Sequence, residues 1–375
     1  MERSLDFRFK VLRGGADYAA LRATGKPSLR MLEKAELKTS FQAVFHPDAV
    51  DADGRAVPVD WLSDEIKPVL VIDGVEHGLG VFAATKAPET DDVATKFLDV
   101  QAYDRCWRVR DTRAESLIYF ASGTNYITAI EQLLTAAGVT SVLATPTTAT
   151  FATAREDWDI GESYLTIINT LLGEISYKPL WFDGDGVAIL EPISVPNAQN
   201  IRHTLTDYKP RAFGQLIGRT ITRTTDLYNA PNVWICVCEN PDFPAPLVAT
   251  SENDNVNSQL STVRRGRRIV KKVRVDNVAS QTELQTYADR LRDMSLISGE
   301  TVEIETPLLP GFGVDDVVGI SVAAHDSTIT YPGGETEITH DDALIAVCID
   351  RAWSMELTVG GVMKHKLERV IYNVE

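Results

Sequence analysis

Alternation of apolar and polar positions is the first signal along this chain. In "LDFRFKVLR", Leu5, Phe7, Phe9 and Val11 fall on one side, and Asp6, Arg8, Lys10 and Leu12 on the other. That repeat matches the side-chain period of a β-strand with one buried face. "LKTSFQAVFH", "IKPVLVIDGVEHGLGVFAAT" and "ATKFLDVQAYDRCWRVR" read as further strands. Asp73-Gly74 lies between two apolar runs, a pair that favours a tight hairpin turn. Strands separated by polar turns predict a small antiparallel barrel or sandwich.

Near Leu117 the period lengthens. "TNYITAIEQLLTAAGVTS" places Ile127, Ile130, Leu133 and Leu134 at helical spacing, with Thr124 or Asn125 as cap and Gly138 as terminator. After a Thr- and Ala-rich loop over Thr145–Ala154, "DWDIGESYLTIINTLLGEI" predicts a second amphipathic helix. Gly161 or Ser163 lies near its start, and Leu165, Ile168, Leu171 and Leu172 face inward. "YKPLWFDGDGVAILEP" then reads as strand, turn, strand. Beyond Pro196 the chain returns to β. "NVWICVCE", "TVEIETPLL", "DDVVGISVAA", "DALIAVCIDRAWSM" and "MKHKLERVIYN" carry strand patterns, and "STVRRGRRIVKKVRVD" ends in alternating apolar and basic positions. One helix interrupts them, "SQTELQTYADRLRDMSLISGE", capped by Ser280 or Thr282 and striped with Leu284, Tyr287, Ala288 and Leu291. The expected fold is therefore β-rich α+β. Its expected domains are 1–112, 113–200 (helical, closed by a hairpin) and 201–375 (β-rich with one packed helix).

Length and composition agree with this division. A chain of 375 residues exceeds one ordinary core and suggests two or three domains. With 44% hydrophobic and 24% charged residues it reads as globular rather than disordered. No apolar run approaches the roughly 18 residues of a membrane span, and "MERSLDFRFKVLRGG" lacks the apolar core of a signal peptide. The expectation is a chain with no membrane anchor, made in a reducing cytoplasm. Cys106, Cys236, Cys238 and Cys348 are too few for a disulfide framework. Cys236 and Cys238 point to one face of a strand, poorly placed to bridge each other, and read as buried thiols.

Candidate chemistry is sparse. "DGDG" could open a calcium loop, but in an EF-hand starting at Asp183 the fifth position is Val187 and the twelfth is Ser194. Neither supplies the required carboxylate, so Asp183 and Asp185 read as turn-makers. His46, His77, His203, His325, His340 and His365 show no metal-binding spacing. "ASGTN" and "LIGRT" are not nucleophile elbows. "LLPGFGVDD" precedes a strand, so it is no phosphate loop. Asp91-Asp92, Asp315-Asp316 and Asp341-Asp342 read as solvated loop carboxylates. These readings give no enzyme, no metal and no cofactor. The sharpest anomaly is basic: Arg264, Arg265, Arg267, Arg268, Lys271, Lys272 and Arg274 crowd into one short run of a chain whose net charge is −16. That charge argues against wrapping nucleic acid, and no aromatics interleave the run. It reads as a counter-charge to acidic surface on this chain or a neighbouring subunit.

Three stretches together resemble the tail-hub proteins of bacteriophages (baseplate and tail-tip hubs) and the related spike-hub proteins of contractile injection systems. The first is "VLVIDGVEHGLGVFAATK…KFLDVQAYDRCWRVRD", a hairpin followed by a strand that closes with Ala102, Tyr103 and Asp104. The second is the helix and hairpin "SYLTIINTLLGEISYKPLWFDGDGVAILEP". The third is "NVNSQLSTVRRGRRIVKKVRVDNVASQTELQTYADRLRDMSL", similar to a Ser-Thr-x-x-x-Gly-Arg segment, a strand and a helix around Ala288 to Arg292; "STVRRGRR" departs from it by extra arginines. The resemblance implies two small antiparallel β-barrel hub domains, with the helix-plus-hairpin domain between them. It implies a homotrimer presenting six barrels in a ring at the distal end of the tail tube, with DNA passing through unbound. Implied partners are the distal tail or tail tube protein, the C-terminus of the tape-measure protein, and tail-tip fibre or spike proteins. The implied place is the virion tail, assembled in the host cytoplasm. Alternatives are a cell-wall-degrading tail enzyme and a hub of a bacterial contractile injection system.

Overall fold

In the computed structural model of this chain, the residues described are 4–87, 89–91, 96–194, 196–206, 221–225, 230–239, 245–256, 258, 260–275, 278, 281–294, 297–321, 327–330, 336–339 and 344–370. They fall in two units. The first takes in Met1–Ile193, Leu308–Val314 and Ala352–Met363, and the second Ser194–Pro307, Asp315–Arg351 and Lys364–Glu375. The fold is β-rich α+β, as the patterning predicts. Among the described residues, no helix is long and apolar enough to cross a membrane.

The first unit opens with β1 (Leu5–Arg13), β2 (Ala16–Leu21), β3 (Ala23–Leu32) and β4 (Thr39–Phe45). The short β5 (Ala49–Val50) and β6 (Ala56–Val57) follow, then β7 (Glu65–Ile72), β8 (Val75–Gly78), β9 (Phe82–Lys86), β10 (Glu89–Asp91) and β11 (Lys96–Asp104). Antiparallel pairing runs from β3 to β4, β11, β9, β7, β1 and finally β2. Arg22 alone separates β2 from β3, so the series starts and ends on one bent run of chain. The segment Ala352–Glu356 pairs with the outer part of β3. Inward-facing positions supply an aromatic core. Phe9, Phe41, Phe45 and Phe82 are buried, with ring centroids 5.5 to 6.2 Å apart. Each such ring stabilises by about 2–3 kcal/mol through burial, and offset or edge contacts add to that. Asp73 (φ 49) and Gly74 (φ 85) take the left-handed conformations of the expected tight turn between β7 and β8.

One strand expectation fails. "ATKFLDVQAYDRCWRVR" is strand only to Asp104, and its end is helix α1 (Cys106–Asp111). Asp104 accounts for the switch. Its carboxylate accepts the Cys106 N–H at 3.0 Å and the Thr39 N–H at 3.0 Å, fixing the turn that starts the helix against the start of β4. Cys106 and Val109 then bury one helical face. Burial pushes the Asp104 carboxyl up to about 6, against the two backbone N–H groups that favour its ionised form.

The helices α2 (Tyr126–Ala136) and α3 (Tyr164–Glu174) form as predicted. The Asn125 carboxamide oxygen caps α2 by accepting the Ile127 N–H at 2.9 Å, and Gly138 (φ 78) follows its end. Ser163 is the N-cap of α3 by position, but its hydroxyl donates to the Arg110 carbonyl at 2.9 Å. Leu165, Ile168, Leu171 and Leu172 are buried in the core shared with α2 and α1. Beside them, β12 (Val142–Ala144), β13 (Trp181–Phe182) and β14 (Ala188–Leu190) make a small sheet. "DGDG" is the turn between β13 and β14. Asp183 is its turn-maker: one carboxylate oxygen accepts the N–H groups of Asp185 and Val187, both at 2.9 Å. Asp185 instead accepts from Lys67 Nζ at 2.7 Å. The turn meets the chain after β8 backbone to backbone: Gly80 N–H donates to Gly184 O at 2.8 Å. A Cβ on Gly184 would stand 2.2 Å from Gly78 O, and one on Gly78 would stand 2.4 Å from Gly184 O.

The second unit contains the parallel pair β15 (His203–Thr206) and β21 (Val317–Ser321), and the antiparallel pair β16 (Thr222–Thr225) and β20 (Ile297–Pro307). β17 (Val233–Cys238), β18 (Leu247–Glu252) and β19 (Val270–Val275) form a three-stranded sheet. The single-turn α4 (Thr262–Arg265) precedes β19, and α5 (Gln281–Met294) packs on the sheet. β22 (Ser327–Thr330) and β23 (Thr336–Thr339) pair with each other. The first residues of β24 (Leu344–Glu356) pair with β21, and β25 (Val362–Val370) pairs with β20. Because α5 starts at Gln281, Thr282 lies inside it, and Ser280 is outside the described residues. Cys236 and Cys238 are buried thiols, not bridged to each other, beneath Leu284 and Ala288 of α5, on one face as expected.

Gly184→Ala lowers stability by roughly 2–3 kcal/mol in urea unfolding, because the new methyl group collides with backbone. Asp185→Asn, which weakens only a largely exposed ion pair, changes it by less than about 0.5 kcal/mol. Asp104 makes a pH-dependent contribution of the less usual sign. A carboxyl whose folded value lies above the unfolded one takes up its proton first in the fold, so its burial penalty is full above pH 6 and is relieved as pH falls toward 4. Between pH 7 and pH 4.5, wild type gains stability relative to Asp104→Asn, by on the order of 2 kcal/mol, read from paired denaturation curves.

Candidate functional site

The basic run takes its shape from three small polar residues and a glycine. Ser261 caps α4 by accepting the Arg264 N–H at 3.1 Å, and Gly266 (φ 62) ends the turn in the left-handed conformation. Asn232, buried just before β17, then seats the chain. Its amide donates to Leu260 O at 3.2 Å and Arg267 O at 2.9 Å, and its oxygen accepts the Ile269 N–H at 2.6 Å. Asn253 adds its carbonyl to the Thr262 N–H at 2.8 Å. The chain thereby enters β19 parallel to β17, with Val233 opposite Val270 and Cys238 opposite Val275.

β19 is an edge strand of its sheet, and side-chain alternation sorts its residues. Val273 and Val275 pack under α5 with the cysteine cluster. Val270, Lys272 and Arg274 lie on the opposite face, and Lys271 and Lys272 are exposed. Of the seven cations predicted as a patch, Arg265 is turned inward and donates to Ala230 O at 2.7 Å. Arg268 pairs with Glu252, and Arg274 with Glu239 at 2.9 Å. Arg264, Arg267, Lys271 and Lys272 are exposed and form no ion pair among the described residues. Exposed Val263 and Val270 lie among them. Arg264 on α4, Arg267 in the turn after it, and Lys271 and Lys272 on β19, an edge strand among the described residues, repel another copy of the same surface and attract carboxylates.

Sequence reasoning missed a second constellation. Thr306 on β20, His365 on β25 and Asp350 on β24 form a chain of hydrogen bonds: Thr306 Oγ1 to His365 Nε2 is 3.1 Å, and His365 Nδ1 to Asp350 Oδ2 is 2.6 Å. The order of groups is that of a nucleophile, base and orienting carboxylate. All three residues are buried, and burial raises the Asp350 carboxyl above its ordinary range. No substrate can reach the threonine, so the network serves to join three strands. The Asp315-Asp316 pair also departs from expectation. Asp316 is buried and bound by Arg202 at 2.8 Å, and Asp315 is bound by Arg351 at 2.6 Å. Asp92, Asp341, Asp342, His325 and His340 lie outside the described residues. Among the described residues, no group of three or more His, Cys, Asp or Glu side chains is arranged to hold a metal ion. A cavity of about 100 Å³ in the first unit is lined by Asp104, Trp181 and Trp353; ligand sites commonly span roughly 300–1,000 Å³.

No family model matches the sequence, and no curated protein matches it. Solved structures do match, and they place the fold among those of phage and prophage tail proteins. A tail protein of Neisseria meningitidis superposes with a TM-score of 0.62 at 13% identity, covering 96% of each chain. The 43 kDa tail protein of prophage MuSo2 from Shewanella oneidensis gives a TM-score of 0.63 at 11% identity, covering 97% of this chain and 98% of that one. The prophage tail protein gp18 of Listeria monocytogenes gives 0.52 at 12% identity, covering 96% and 94%. The tail-protein likeness inferred from the sequence motifs thus holds at the level of the fold.

Asn232→Ala tests the seating of the basic run. Three hydrogen bonds to buried backbone are lost, so stability falls by about 2–3 kcal/mol. Hydrogen exchange over Leu260–Val275 rises more than over α2 and α3, measured by mass spectrometry.

Proposed function

We propose that this chain is a structural, non-enzymatic protein of a phage tail: a hub at the distal end of the tail tube, in which three copies form a ring that lets DNA pass. The observation that carries this reading is the likeness of fold over the whole chain to proteins described as tail proteins. The series of pairings in the first unit, which begins and ends on the run from β2 to β3, suits a small tube-like barrel. The β-rich second unit would supply the second barrel of each copy, so that three copies present six barrels toward a sixfold tube. The helices and hairpin between 113 and 200 would form the intervening domain. A net charge of −16 suits a channel that repels phosphates and lets DNA slide. The expected neighbours are the tail tube or distal tail protein, the tape-measure C-terminus, and tail-tip fibres or spikes, all within the virion tail.

A wall-degrading enzyme is the weaker reading, because the nucleophile–base–carboxylate chain found here is sealed from solvent. A hub of a contractile injection system would share the fold and differ in its neighbours. A cryo-EM map of the assembled tail tip is expected to place three copies of this chain around the tube axis; a map without threefold arrangement overturns the hub. Zymography on host peptidoglycan is expected to give no clearing.

A further inference from the structure

The first unit carries a surface that mirrors the basic edge. Residues 114–120 and 155–162 run side by side, joined by hydrogen bonds of Phe120 with Arg155 and of Ala114 with Gly161 and Glu162. The ribbon between these bonds exposes Leu117 (62%), Tyr119 (59%) and Ile160 (65%). Around them stand the exposed carboxylates Glu115, Glu156 and Asp159, which form no ion pair among the described residues. Two other exposed apolar side chains have their neighbouring carboxylates already engaged: Leu62 lies beside Asp60 and Asp64, held by Ser63 and Arg13, and Val75 beside Glu76, held by Arg8 and Lys10.

We propose that this acidic, apolar ribbon is the partner of the basic β19 edge, met on a second copy of this chain. The inference rests on the tail-assembly reading in one respect, that copies of the chain adjoin. Three carboxylates face Arg264, Arg267, Lys271 and Lys272, and Leu117, Tyr119 and Ile160 cover Val263 and Val270. Aromatic and aliphatic anchors inside a charged rim are what a protein interface requires. The two surfaces differ, so the contact is heterologous and propagates from copy to copy until a ring closes. Exposed charge pairs are screened by salt, so the contact weakens as ionic strength rises.

Sedimentation of the full chain tests this. Arg264→Glu with Arg267→Glu, and separately Glu156→Lys with Asp159→Lys, each weaken self-association by about tenfold or more, and the four changes together restore it. All four native thiols are buried, so Ile160→Cys with Val263→Cys gives copy-to-copy disulfides under mild oxidant, whereas each change alone does not form the ladder. The substitutions lie on the surface, and unchanged circular dichroism confirms folding. Assembly unaffected by both charge reversals, or lacking the cross-link, overturns this contact while leaving a threefold tail hub intact. A wild-type chain that stays monomeric at all concentrations also overturns it, and the tail-tip map then judges the hub independently.

Discussion

Backbone hydrogen bonding is the constraint on which the first unit depends. A strand with an unpaired side exposes a row of donors and acceptors, and a sheet of many short strands has to end somewhere. Here the chain bends at Arg22, so that one continuous run serves β1 with its first half and β4 with its second. The four phenylalanines fill the space this creates, and they can do so only because alternation sends Phe41 and Phe45, four residues apart, to the same side. The close approach of Gly78 and Gly184 obeys the same demand: two backbones meet where no side chain fits, and Gly80 N–H finds its acceptor there.

What was legible in the sequence was local. Alternation marked β1, β4, β7 and β17, and the helical stripe with Asn125 and Gly138 marked α2 at both ends. "DGDG" was read as a turn from its missing calcium ligands, and Asp183 makes that turn. Local pattern failed where one side chain changes the outcome at a distance. "DRCWRVR" alternates acceptably as a strand, yet Asp104 accepts a hydrogen bond from its own near neighbour and one from Thr39, and the chain coils. Asn232 precedes an ordinary strand, and nothing around it announces that it will hold Leu260, Arg267 and Ile269. Thr306, Asp350 and His365 become neighbours only through the pairing of strands far apart in sequence. The basic run was visible as composition, but which of its cations stay unneutralised depended on Glu239, Glu252 and Ala230.

Charge and burial divide the work of the polar residues. Where carboxylates and cations are buried, as at Asp316 and Asp350, they are bonded and lock strands together. Exposed charges without an ion pair among the described residues include Arg264, Arg267, Lys271 and Lys272 on one surface and Glu115, Glu156 and Asp159 on another. Interior polar groups help to specify one fold, and exposed charge acts on neighbouring molecules more than on stability.

The discontinuous make-up of the first unit also fixes the order of events at the ribosome. Ala352 to Glu356 pair with Leu32 to Ser28, and Leu308–Val314 belong to the same unit. The opening strands therefore leave the exit tunnel long before the last members of their own sheet are translated. An aborted or nicked chain that ends before Glu356 presents β3 with part of its edge unmatched. Only copies translated through Glu356 can complete this sheet.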